Sequence, residues 1–235
     1  MPAEPAYWAI VPAAGSGSRM AAAMPKQYLR LGDRTVLEHT LDTLLSIETI
    51  SAVLLVVAPD DNAWQSILPR YTGKALDVVN GGAERCHSVL NGLDALAGKA
   101  SASDWVLVHD AARPCVRRDD VLALMDSMDA DSDGGLLGVQ VADTMKRVAA
   151  DGRVIATVDR AGLWHALTPQ MFRLEALRAA LRQAIAANSL VTDEAFAMEL
   201  AGYRPLMVQG HRDNIKITLP ADLALAAFYL QAGQQ

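Results

Sequence analysis

Along the first half of the chain, short apolar runs rich in β-branched side chains alternate with stretches whose apolar residues recur at helical spacing, and few folds accept that pattern. Tyr7 to Val11 is too short for a stable helix and stops at Pro12, which suits a buried parallel strand. Leu37, Leu41, Leu44 and Leu45 follow at helical spacing, and Ala52 to Ala58 forms a second β-branched run closed by Pro59. Leu76 to Val79 reads as a strand, Val89, Leu93, Leu96 and Ala97 mark a helix face, and Trp105 to His109 is another apolar strand. The alternation predicts an α/β fold, a mostly parallel sheet flanked by helices on both faces.

The segment at 143–160 breaks this rhythm. Thr144 to Val148 and Val154 to Val158 are strand-like and flank Asp151-Gly152, a dipeptide favoured in tight hairpin turns, so a projecting β-arm is expected there. Beyond it, Leu174, Leu177, Leu181 and Ile185 stripe one helix, and Thr192 to Leu200 suggests another. Pro205 to Val208 and Ile215 to Ile217 resemble closing strands, and a last helix is expected to start near Pro220, a residue suited to a first helical turn. No repeat, low-complexity segment or linker divides the chain. Its 235 residues are read as a single domain spanning 1–235, large enough for one substantial core.

The formal net charge of −6 argues against a nucleic-acid polymer or an anionic membrane as partner, so any phosphate ligand has to be held by local cations. Two cysteines, Cys86 and Cys115, are too few for a disulfide framework and lack metal-ligand spacing, which makes a reducing cytoplasm the simplest home. The N-terminus carries no basic region before its apolar stretch, and no apolar run approaches the roughly 20 residues needed to span a bilayer. Neither a targeting segment nor an anchor is expected, nor a fused second enzyme after the Pro220 helix.

Chemistry enters at Pro12-Ala13-Ala14-Gly15-Ser16-Gly17-Ser18-Arg19-Met20, followed by Pro25-Lys26-Gln27-Tyr28. In an open α/β sheet, a loop leaving the carboxyl end of a strand is where ligands bind. Gly15 and Gly17 let the backbone approach a polyphosphate and turn N–H groups toward it, while Arg19 and Lys26 supply positive charge. The two glycines alone fit a tight strand-to-helix turn equally well; the two cations favour the polyphosphate. There is no Gly-x-x-x-x-Gly-Lys-Ser/Thr run, and Met20 stands where a dinucleotide fingerprint has its third glycine. Asp110 follows an apolar strand, again at a carboxyl edge. It is a candidate to face ribose, substrate hydroxyls or a magnesium ion, and equally to pair with Arg113. His109 reads as a satisfied core histidine.

The loop resembles that of the nucleotidyltransferase superfamily, and further segments narrow the likeness: Gly81-Gly82-Ala83-Glu84-Arg85, His109-Asp110-Ala111-Ala112-Arg113-Pro114, Asp143-Thr144-Met145-Lys146-Arg147, Thr157-Val158-Asp159-Arg160, Ala166-Leu167-Thr168-Pro169-Gln170, Thr192-Asp193-Glu194-Ala195 and Asp213-Asn214-Ile215-Lys216-Ile217-Thr218. Together, from Ile10 to Tyr229, they resemble the 2-C-methyl-D-erythritol 4-phosphate cytidylyltransferase family of the non-mevalonate isoprenoid pathway. The resemblance implies a Rossmann-like sheet, CTP and a polyol phosphate as substrates, and Mg2+ bound mainly with the CTP phosphates, Asp110 being its candidate protein ligand. By the same resemblance, Arg19 and Lys26 stabilise the transition state, while Arg160 and Lys216 position the acceptor. Ala13, Ala14, Gly15, Gly17, Gly81, Gly82, Ser88 and Asp110 would bind CTP, and Asp110, Arg113, Thr144, Thr168 and Thr192 the acceptor. It also implies a homodimer interlocked through the β-arm, with Thr144 and Arg160 serving the neighbour's site. Ser16 and Ser18 stand where bulkier or basic residues are common in the family, and Ala21-Ala22-Ala23 is an unusually plain connector. Two rivals share much of this pattern: a cytidylyltransferase acting on ribitol 5-phosphate, and a noncatalytic CTP-binding module.

Overall fold

The computed structural model describes residues 4–15 and 24–233. In chain order, β1 (Tyr7–Pro12) is followed by the short strands β2 (Arg30–Leu31) and β3 (Arg34–Thr35), then α1 (Val36–Leu45), β4 (Ile50–Val57), β5 (Leu76–Asn80), α2 (Arg85–Ala95), β6 (Trp105–Val108) and α3 (Arg118–Asp126). The second half holds β7 (Gly135–Gln140), β8 (Met145–Val148), β9 (Val154–Val158), β10 (Trp164–Arg173), α4 (Leu174–Ala186), α5 (Glu194–Leu200), β11 (Leu206–Gln209) and α6 (Pro220–Ala232). Seven strands form the central sheet in the order β11-β7-β10-β6-β1-β4-β5. All neighbours run parallel except β10, which is antiparallel to both β6 and β7.

Side chains two apart on a strand point to the same face, and the central strands divide their residues accordingly. Ala9, Val11, Val53, Leu55, Val57, Trp105 and Leu107 pack on one face with α1 and α3 residues such as Leu37, Leu41, Leu44, Val121 and Leu124. Ile10, Leu54, Val56, Val106 and Val108 pack on the other with Val89, Leu93, Leu177 and Leu181 from α2 and α4. Burial on both faces is why these strands read as unbroken apolar runs. At the start of α1, Thr35 accepts from the Glu38 backbone N–H while the Glu38 carboxylate accepts from Thr35, a complete capping box.

Two strands of the central sheet were not expected, nor was the short β2–β3 pair. β7 carries Gly135 and Gly138, which read as turn residues, yet β11 lies so close that a Cβ on Gly138 would sit 2.3 Å from the Met207 sulfur. β10 contains Pro169 among the polar Thr168 and Gln170, a composition that masks a strand. Conversely, Ile215 to Ile217 is not a strand. This segment lies against the loop after β6, where the Ile217 N–H donates to the Ala112 carbonyl, and Ile217 joins a third cluster with Leu31, Val36 and α6.

The expected hairpin is present. β8 and β9 form a two-stranded antiparallel sheet of their own, turned at Gly152 with φ +82°, and nearly all of their side chains are exposed. Among the described residues, no helix is long and apolar enough to cross a membrane.

Candidate active site

The carboxyl ends of β1, β5 and β6 open into one cleft, lined by Ala13, Ala14 and Gly15 from the first loop, Lys26 and Gln27, Gly82 through Arg85, Ser88, Asp110 and Lys216. Parallel strands leave their exits on one edge, so three loops distant in sequence converge there. Gly17 and Arg19 lie outside the described residues.

The loop after β1 is pinned from below. Gln27, almost fully buried, donates its side-chain amide to the Ala13 carbonyl at 2.7 Å, and the Lys26 ammonium donates to the Ile217 carbonyl at 2.8 Å. Lys26 is thereby tied to the segment that carries Lys216. On the opposite wall, Gly81 is packed so tightly that a Cβ would come within 2.8 Å of both Ala14 Cβ and Ser88 Oγ. A side chain there would fill the cradle between the first loop and α2. The Ser88 hydroxyl accepts from the Gly82 N–H at 3.1 Å and reaches the Glu84 carbonyl at the same distance, so it holds the glycine pair in place while lining the cleft.

At the floor lies a network of charges. Asp110 Oδ1 accepts from Arg85 Nε at 3.0 Å, and Oδ2 is 2.8 Å from the Lys216 ammonium and 3.5 Å from Arg113 Nε. Arg85 turns its two terminal nitrogens onto Glu194, at 2.6 and 3.0 Å, in a bidentate pair. Burial works to raise the Asp110 pKa, but Arg85, Lys216 and Arg113 overcome it and hold the carboxyl well below the usual carboxylate range. Around Asp110 three cations face two carboxylates, one positive charge in excess, and Lys26 and Glu84, of opposite charge, both line the same cleft. An anion is the ligand that balances this cleft, even though the chain as a whole carries −6.

Behind Asp110, Thr168 and His109 complete a relay of hydrogen bonds. The Thr168 hydroxyl accepts from the Asp110 N–H at 3.1 Å and lies 3.0 Å from His109 Nδ1, while His109 Nε2 lies 3.1 Å from the Arg113 carbonyl. One assignment satisfies all three contacts: Nε2–H donates to the carbonyl, and Nδ1 accepts from the hydroxyl. Complete burial pushes the imidazole down to about 4. With both ring nitrogens engaged, His109 is the core histidine its sequence context suggested.

That burial has a pH signature. A histidine whose folded pKa is depressed favours the folded state above its unfolded value near 6.5, and this contribution is lost as pH falls toward 4. The span corresponds to about 3 kcal/mol at most. Urea unfolding between pH 7 and 4.5 is expected to show this slope in the wild type and a flatter one in His109→Gln. Equal slopes would mean that the ring titrates normally.

Of the acceptor residues suggested by sequence, Asp110, Lys216, Thr168 and Arg113 meet here. Thr144, Arg160 and Thr192 do not line the cleft. Thr144 and Arg160 lie exposed at the base of the hairpin, where the Arg160 guanidinium donates to the Ala142 carbonyl. Thr192 is exposed just before α5. Gln27, Arg85 and Glu194 carry structural weight in the site that sequence reading did not assign them. Arg85 and Glu194 each sat in a quoted motif at the start of a helix, but no local pattern linked one to the other.

Both oxygens of Asp110 are engaged by cations, Oδ1 by Arg85 and Oδ2 by Lys216 and Arg113. Glu84, Cys86 and His87 bring one potential ligand atom each within 4.8 Å of one another, but thiol and imidazole are not the oxygen donors magnesium selects. The described residues therefore do not form a magnesium cage.

A mostly parallel α/β sheet with a cation-bearing cleft at its strand exits defines the class of α/β proteins that bind anionic ligands at the carboxyl edge of the sheet. Comparison with known proteins is more specific. The 2-C-methyl-D-erythritol 4-phosphate cytidylyltransferase profile matches residues 7–232. Proteins of that name from Hahella chejuensis and Tolumonas auensis are 55% and 51% identical to this chain, covering 97% and 96% of it and 94% and 96% of their own lengths. A crystal structure of a 4-diphosphocytidyl-2C-methyl-D-erythritol synthase superposes with a TM-score of 0.84 at 37% identity, covering 97% of this chain and all of the other. The Francisella tularensis 2-C-methyl-D-erythritol 4-phosphate cytidylyltransferase gives 0.81 at 35% identity, over 95% and 99% of the two chains. The chain belongs to the 2-C-methyl-D-erythritol 4-phosphate cytidylyltransferase family.

Proposed function

We propose that this chain transfers CMP from CTP to 2-C-methyl-D-erythritol 4-phosphate, giving 4-diphosphocytidyl-2-C-methyl-D-erythritol and pyrophosphate. The observation that carries the reading, beside family membership, is the cluster of Arg85, Arg113 and Lys216 around Asp110 at the strand exits, in a cleft that Lys26 also lines. The acceptor phosphate oxygen attacks the α-phosphorus in line, the bond to the β-phosphate oxygen breaks, and pyrophosphate leaves with its electron pair. A phosphate monoester is already an anionic nucleophile, so no strong general base is required, in keeping with a buried neutral His109 and a fully paired Asp110. Catalysis in this reading is positioning and electrostatics.

Arg19 and Lys26 neutralise the triphosphate as charge builds on it. Gly15 and Gly17 bring backbone N–H groups to the triphosphate, and Ala13, Ala14, Gly81 and Gly82, with Ser88, select the base. Lys216, Arg113, Thr168 and Asp110 receive the acceptor. Mg2+ is bound mainly with the CTP phosphates, Asp110 being its candidate protein ligand. The whole chain works as one domain in the cytoplasm, and the β8–β9 arm carries Thr144 and Arg160 into the site of a second subunit. The exposed apolar side chains Val148, Val154 and Ile155 on the arm support that pairing.

Pyrophosphate release with each of the four NTPs, offered with methylerythritol phosphate or with ribitol 5-phosphate, tests substrate choice. CTP with methylerythritol phosphate is expected to dominate; preference for the ribitol ester or for another nucleotide would overturn the assignment. Arm exchange has its own test. Mixed Arg160→Ala and Lys26→Ala subunits are expected to recover part of the wild-type rate, because each heterodimer holds one site with both cations. No recovery in a verified heterodimer would remove the arm from the mechanism.

A further inference from the structure

Glu194 is the first residue of α5 and is completely buried, yet its carboxylate does not reach the cleft lining. Its partner Arg85 opens α2 three residues after the glycine pair and does line the cleft. The arginine thus joins two elements that are 109 residues apart in sequence, and it spends all three of its nitrogens doing so, two on Glu194 and one on Asp110. α5 is itself fixed from the sheet: the Gln170 side chain on β10 donates to Asp193 at 2.9 Å and accepts from the Ala195 N–H at 2.8 Å. Asp110 receives Arg85 on one oxygen and Lys216 on the other, so the position of one cation is set by that of the other through a shared carboxylate.

We propose that Arg85, gripped by the buried carboxylate of Glu194, is a positioning residue that fixes Asp110 and, through it, the Lys216 ammonium on the acceptor side of the cleft. This rests on the functional reading above only for its kinetic consequence. A lysine at position 85 keeps the charge but has one nitrogen, so it can serve Glu194 or Asp110 and not both. A glutamine at position 194 keeps shape and hydrogen-bonding capacity but removes the charge that anchors the guanidinium.

The test uses Arg85→Lys and Glu194→Gln in the full chain. With no substrate present, timed reductive methylation read by peptide mass spectrometry should modify Lys216 several-fold faster in both variants than in the wild type. Lys99, paired with Asp77 on the surface, should be unchanged and serves as the control. In turnover, kcat/KM for the polyol phosphate per folded molecule should fall about 100-fold in Arg85→Lys, the scale set by small misplacements of a reacting group. The loss should be smaller in Glu194→Gln, and CTP binding measured without acceptor should change far less. Wild-type labelling of Lys216 in both variants would overturn the proposal, as would kinetic losses that vanish once corrected for folded fraction. If the wild type itself makes no product, the functional reading fails while the labelling result still decides the role of Arg85.

Discussion

Replacing Lys216 with alanine is expected to lower kcat/KM for the polyol phosphate by roughly 10²- to 10³-fold, the cost of deleting one preorganised charge from a transition state rich in negative charge. The fold should survive. The Lys216 side chain is partly open to the cleft, and Asp110, its partner, keeps both Arg85 and Arg113. The variant should therefore melt close to the wild type while its rate collapses. Lys26→Ala should lose a similar factor through the donor, with the larger change in the CTP dependence, because Lys26 belongs to the first loop. Steady-state kinetics with each substrate varied separately, alongside melting curves, check both. A Lys216→Ala variant with near wild-type kcat/KM would remove this cation from the chemistry.

Arg85→Ala should be the most damaging single change to stability among the cleft residues, by about 3–5 kcal/mol, the usual penalty for stripping one partner from a buried ion pair. Glu194 is wholly buried and would be left as a carboxylate facing an apolar interior and no cation. Adding Glu194→Gln to that variant removes the orphaned charge and should recover part of the loss, since a neutral amide costs far less to bury than an unpaired ion. Urea unfolding of the two single variants and the double variant measures this directly. A loss below about 1 kcal/mol for Arg85→Ala would place the pair in the class of weak surface bridges instead.

The parallel half of the molecule is legible in the sequence because its strands are buried on both faces. Runs such as Leu54, Leu55, Val56 and Val57 have no polar alternation to confuse them. The antiparallel half is harder to read, since its constraints are tertiary. Gly138 looks like a turn residue until β11 is seen against it, and Pro169 looks like a strand breaker until β10 is seen carrying it. The Ile215 to Ile217 run has strand composition, but its apolar side chains are consumed by packing under α6. In the site, the loop after β1 announced itself through glycines and cations at one strand exit. The Arg85–Glu194 pair could not, because no local pattern relates a residue at the start of α2 to one at the start of α5. Whether a charged residue is a solvated surface group or half of a buried pair is decided by the fold.

In the proposed function the first loop, Gly15 to Lys26, serves the polyphosphate, and specificity is assigned to an acceptor held around Lys216 and Asp110. Incubation with CTP, Mg2+ and 2-C-methyl-D-erythritol 4-phosphate carrying 18O in its phosphate addresses both halves at once, with the products read by 31P NMR and mass spectrometry. Attack by the acceptor phosphate on the α-phosphorus predicts a cytidine diphosphate ester that retains all of the label, together with unlabelled pyrophosphate. Label in the pyrophosphate, or no CTP-dependent product at all, would contradict it.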